Sequence, residues 1–146
     1  MFAAGVGAVL GAAIFWLARR LHMSAQSAFY PTVLIAIASY YVVFAVISAT
    51  SSALALELTV ASGFLCLALL GHHRGYPGLS AGAILLHGVY DLLHEPLGLS
   101  HTGVPSWWPV FCGVLDLVLG GCILAEQAWS QRSDADKGSS REKSGT

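Results

Sequence analysis

Residues 78–95 read Gly78-Leu-Ser-Ala-Gly-Ala-Ile-Leu-Leu-His87-Gly-Val-Tyr90-Asp91-Leu-Leu-His94-Glu95, an apolar run closed by Pro77 on one side and Pro96 on the other. At 100° per residue, His87, Asp91 and His94 fall within about 60° of arc and so line one face of a helix over two turns. The run is long enough to cross a hydrocarbon layer, which takes roughly 17 to 25 residues. Ionisable groups are expensive there and are functional by default.

Four more stretches have the same character, at about 2–18, 29–49, 52–71 and 107–128, around the run at 78–95. Of the 146 residues, 55% are hydrophobic and only 10% charged, against about 25% charged in a soluble domain. The composition predicts an all-α, polytopic membrane helix bundle of five transmembrane helices. Punctuation supports each boundary: Arg19-Arg20 after the first span, Ser27 and Pro31 at the start of the second, Thr50-Ser51-Ser52 before the third, Gly71-His72-His73-Arg74-Gly75 after it, and Trp107-Trp108 opening the fifth. Pro96 biases Glu95 away from the α region and so closes the fourth.

Lys and Arg positions set the orientation. With the N-terminus outside and the C-terminus cytoplasmic, all seven cationic residues, Arg19, Arg20, Arg74, Arg132, Lys137, Arg141 and Lys143, fall on the cytoplasmic face. This predicts a multi-pass protein of the inner (plasma) membrane of a bacterium. The first span has no positive charge before it and a basic pair after it, which reads as a reverse signal anchor and not as a cleaved leader. Residues 1–129 form the bundle, and 130–146, mixed in charge and rich in Ser and Gly, read as a disordered cytoplasmic tail.

A net charge of −1 and the lack of any basic stripe exclude a nucleic-acid partner. The three cysteines, Cys66, Cys112 and Cys122, all lie within spans and read as small buried hydrophobes. The partner is the lipid bilayer itself. Gly7-x-x-x-Gly11 permits close helix approach, in a homo-oligomer as readily as within one chain.

Depth then brings the polar residues together. At about 1.5 Å rise per residue, Asp91 lies roughly 6 Å and His87 roughly 12 Å inside the outer boundary, Glu57 about 7 Å and Asp116 about 13 Å. Spans three, four and five each present a carboxylate in one leaflet, which predicts a convergent pocket of Glu57, His87, Asp91, His94 and Asp116. Three unpaired acids would cost on the order of 5 to 9 kcal/mol, comparable with the whole stability of a small protein. A bound divalent cation relieves that cost, and neutral imidazole with carboxylate suits zinc or iron.

The expected metal ligands are His87, Asp91 and His94, with Glu57 or Asp116 as catalytic base or positioned behind the ligands. In enzymatic form this would be a hydrolase or oxidoreductase acting on a lipophilic small-molecule substrate arriving from the bilayer. A proton or cation pathway is one alternative, although the inner halves of these spans are almost wholly apolar. A non-catalytic membrane assembly subunit, with the cluster as interhelical glue, is the other. Tyr90 and Glu95 read as interfacial, His72-His73 and His101 as solvated, and Tyr40 and Tyr41 as packing or pocket-lining.

The run His87-x-x-x-Asp91-x-x-His94, with Glu57 in the preceding span and Cys112 and Asp116 in the next, resembles an uncharacterised family of small bacterial integral-membrane proteins of unknown function. The resemblance covers roughly residues 3–122. It implies this architecture and this choice of residues, and no activity. The family pattern has Trp before the Asp and a second His after the last; here Tyr90 and Glu95 stand there. A more distant likeness is to the membrane hydrolases of the alkaline ceramidase and progestin-receptor superfamily, which hold zinc with His and Asp from their helices. Those proteins have seven spans and His-x-x-x-His where this chain has His87-x-x-x-Asp91.

Overall fold

The computed structural model describes residues 1–144, with side chains described through Ser133. Among the described residues the long elements are all helices and there is no strand: α1 (Phe2–Arg20), α2 (Phe29–Ser48), α3 (Ser51–Arg74), α4 (Pro77–His94) and α5 (Trp108–Ser144). A single 3-10 turn, Met23–Ala25, lies between α1 and α2. Four segments are long and apolar enough to cross a membrane: Phe2–Arg20, Phe29–Ser48, Ser51–Arg74 and Trp108–Ser133. Because α4 has only 18 residues and carries two histidines and an aspartate, hydropathy alone no longer places it with the other four.

Local chemistry sets the ends. Pro77 opens α4 in the first turn, where its missing N–H removes no intrahelical bond. Gly75 closes α3 at φ 57, a left-handed conformation that glycine adopts without a Cβ penalty. The expected disordered tail over 130–146 falls mostly on residues whose side chains are outside the described set; the α5 backbone is helical through Ser144.

Polarity is distributed inside out. Ile47 is 67% and Leu86 54% exposed, while Glu57, His87, Asp91, His94 and Asp116 are at most 1% exposed. In water that arrangement would leave apolar surface wet and bury charge, the reverse of what the hydrophobic effect favours. A hydrocarbon surrounding suits it.

Helix registers follow from the closest contacts. Gly7 and Gly11 of α1 meet Phe111 and Leu115 of α5 in the same order, so these helices run parallel. The Arg19–Glu126 ion pair at 3.1 Å ties their later portions together. Gly88 faces Gly113 and Gly120 faces Ala81, so α4 and α5 are antiparallel. Around Leu34, Phe64, Ala68, Ile84, Leu119 and Ile123 the helices share one apolar core, and the polar cluster sits at the end of it where α4 finishes.

The Gly7-x-x-x-Gly11 stripe is therefore occupied within the chain. A Cβ on Gly11 would lie 2.6 Å from the Leu115 carbonyl oxygen. Gly11→Leu is expected to destabilise by about 1–3 kcal/mol through overpacking, read as a lower unfolding temperature in detergent. Gly5→Leu, whose Cβ meets nothing within 4 Å, should leave it unchanged.

Candidate metal centre

Three helices contribute the site. Helix α4 presents His87, Asp91 and His94 from one face, α5 brings Asp116 opposite His87, and α3 brings Glu57 opposite His94. What allows this closeness is a seam of small residues. A Cβ on Gly88 would meet the Gly113 carbonyl oxygen at 2.9 Å and the Asp116 Cβ at 3.0 Å. A Cβ on Gly113 would meet the Gly88 carbonyl oxygen at 3.0 Å. With neither present, the α4 and α5 backbones touch.

The cluster divides into two sets. In the first, the His87 Nδ1–H donates to Asp116 Oδ2 at 2.8 Å, and Asp91 Oδ2 lies 3.4 Å from the same nitrogen. Since Nδ1 carries one proton, Asp91 has a charge contact and no hydrogen bond from it. The edge of the His87 ring meets Phe64, with centroids 4.8 Å apart. In the second set, Glu57 is satisfied at both oxygens, by the Tyr90 hydroxyl at 2.9 Å and by His94 Nε2 at 3.0 Å. The His94 Nδ1 lies 3.4 Å from Ser100 Oγ, and the ring stacks on Tyr41 at 4.4 Å.

Asp91 stands out from this network. It is fully buried, yet neither of its oxygens has a hydrogen-bond partner among the protein groups. Asp116 Oδ1 is also unpartnered. The Tyr41 hydroxyl, itself buried and unpartnered, lies beside Asp91 within reach of a hydrogen bond that a small adjustment would complete. A buried carboxylate left this way carries a large desolvation penalty, which a cation removes directly.

One atom each of His87, Asp91 and Asp116 lie within 4.8 Å of one another, close enough to hold a metal ion. With bonds of about 2.1 Å, tetrahedral donors sit about 3.4 Å apart, so Asp116 and His87 need open by only about half an ångström. A neutral imidazole with two carboxylates also balances a divalent charge.

No family model, curated protein or solved structure matches the chain. The functional reading then rests on the site's own chemistry.

All five polar residues expected from the sequence meet in this region, but in a different grouping. Asp116, expected as base or behind the ligands, joins His87 and Asp91, whereas His94 turns to Glu57. Axial position explains it: His87 and His94 share one face of α4 but lie about 10 Å apart along it, so His87 meets Asp116 of α5 and His94 meets Glu57 of α3. Tyr90, read as interfacial, donates to Glu57. Tyr41 is buried against His94 and Tyr40 packs on Trp108. His101 is not solvated: both ring nitrogens are buried and unpartnered, and burial lowers its pKa from the usual imidazole value. His72 and His73 remain exposed at the end of α3. The sequence reading missed Gly88, Gly113 and Ser100. For the glycines the signal was there, as isolated Gly inside apolar spans.

Proposed function

We propose that this is a five-span inner-membrane protein, N-terminus outside, whose last three helices bind a divalent metal ion through His87, Asp91 and Asp116. The observation that carries the reading is Asp91, a buried carboxylate with two unpartnered oxygens beside an imidazole and a second carboxylate. One nitrogen and a set of carboxylate oxygens favour zinc or iron(II) over magnesium, which prefers octahedral oxygen and keeps its waters. The α4 segment, fourth in order, brings the number of spans to five because its buried polar groups face the bundle. The resemblance to small bacterial membrane proteins fits the same architecture.

In catalytic form the ion would polarise an ester, amide or oxidisable group of a lipophilic substrate, with Glu57, bonded to His94 and Tyr90, as the group that exchanges a proton. His87, Asp91 and Asp116 are at most 1% exposed, so such a substrate would enter only after α4 or loop 96–106 moves. A transmembrane proton relay is less well supported. Beyond His87 the buried neighbours on α4 and α5 are Ile84, Ala83, Ala81, Leu119 and Ile123, and the next buried polar group on α4 is Ser80, about two turns away.

Metal analysis of the detergent-purified protein tests the reading. We expect about one equivalent or more of zinc or iron per chain, lost in Asp91→Ala/Asp116→Ala. Metal-free protein from both aerobic and anaerobic preparations would refute it.

A further inference from the structure

The second polar set is unused by a single ion, yet it repeats the donors of the first. We infer that the bundle holds two divalent ions bridged by Asp91, one on His87 and Asp116 and the other on Glu57 and His94. This rests on the metal reading above and extends it to a dinuclear centre.

Three observations carry it. The first is symmetry of donors: each ion receives one imidazole, one carboxylate of its own and one oxygen of Asp91. The second is spacing. Asp91-Leu-Leu-His94 places acid and imidazole three residues apart on one helix, where Cβ atoms are about 5–6 Å from each other. Helical bundles with paired metals use Glu-x-x-His on each of two helices with a further carboxylate from each of two others; here α4 supplies one Asp-x-x-His, with Glu57 from α3 and Asp116 from α5. The third is the pattern of satisfaction. Glu57 has a partner at each oxygen and Asp116 at one, whereas Asp91 has none at either. A bridging carboxylate needs both of its oxygens free.

The surroundings of the second position are those of a prepared ligand pair. Tyr90 O–H occupies Glu57 Oε2 and leaves Oε1 for the ion. When His94 Nε2 ligates, its proton sits on Nδ1, which faces Ser100 Oγ as an acceptor at 3.4 Å, and that contact fixes the ring as outer partners of metal-bound histidines do. Tyr41 stacks along the same ring. The ion displaces the present Glu57–His94 hydrogen bond, so two donors now 3.0 Å apart open by a few tenths of an ångström to about 3.4 Å. Among the described residues only His87, Asp91 and Asp116 already have ligand atoms within 4.8 Å of one another, so the second ion requires Asp91 to turn one oxygen toward His94, and paired ions stand about 3.5–4 Å apart.

Mn(II) serves as the probe. Metal-stripped protein reconstituted with Mn(II) is expected to take up two ions per chain and to show the spin-coupled signal of a close pair in electron paramagnetic resonance. Glu57→Gln/His94→Gln, which keeps shape and hydrogen-bonding capacity, should bind one ion with an uncoupled signal, a twofold loss. If that variant does not elute as a folded species, the wild-type stoichiometry and coupling decide alone. One uncoupled ion per wild-type chain overturns the pair and leaves the first site standing. No bound ion overturns both readings.

Discussion

Replacing His87 with alanine is expected to lower stability by roughly 3–5 kcal/mol, the cost of leaving buried charge without its partner. Asp116 would lose its hydrogen bond at 2.8 Å and Asp91 its imidazole contact at 3.4 Å. At about 2–4 °C per kcal/mol for a chain of this size, the unfolding temperature in detergent should drop by on the order of 10 °C. Asp91→Asn provides the contrast. It removes a charge that no protein group hydrogen-bonds, so the metal-free protein should be unchanged or more stable, while its metal content falls. Opposite signs from two neighbours in one cluster would mark a residue kept for binding and not for folding. Equal losses from both variants would instead assign the cluster to structural glue, and an unchanged unfolding temperature in His87→Ala would show that the cluster bears no charge.

The second large effect is expected from Gly88→Leu. Even a methyl group there meets the Gly113 carbonyl oxygen at 2.9 Å and the Asp116 Cβ at 3.0 Å, and those are backbone and near-backbone atoms that cannot swing aside. Helices α4 and α5 must separate, at an overpacking cost of about 1–3 kcal/mol. The separation also pulls His87 from Asp116, and a misplacement near 1 Å exceeds the roughly 0.5 Å tolerance of a binding site. Metal affinity should fall at least tenfold, as measured by competition with a chromophoric chelator. Gly82→Leu on the same helix, with nothing within 4 Å of its Cβ, is the control. Equal affinity in the two variants would remove the small-residue seam from the account.

Much of this was legible in the chain. Apolar length and terminal punctuation located the first four helices to within a few residues, with 29–49 observed as Phe29–Ser48 and 78–95 as Pro77–His94, whereas α5, expected over 107–128, runs from Trp108 to Ser144. Rise per residue also placed His87 and Asp116 at nearly the same depth, and the structure joins them. Depth is one coordinate, however, and ligand choice needs a second, the rotation of each helix about its axis. That rotation is set by Gly88 against Gly113 and by Gly11 against Leu115, contacts between residues far apart in sequence. Periodicity within one span carries no trace of them, so the pairing of His94 with Glu57 across the bundle is not legible from α4 alone.

The seal around the cluster has a kinetic consequence. With His87 and Asp116 at most 1% exposed, a chelator in solution cannot reach a bound ion until α4 and α5 part locally. Release would then follow the frequency of that opening event and would saturate as chelator concentration rises. The time course of metal loss would become a clock for the breathing of two helices inside a bilayer, and loading would be easiest while the chain is still inserting.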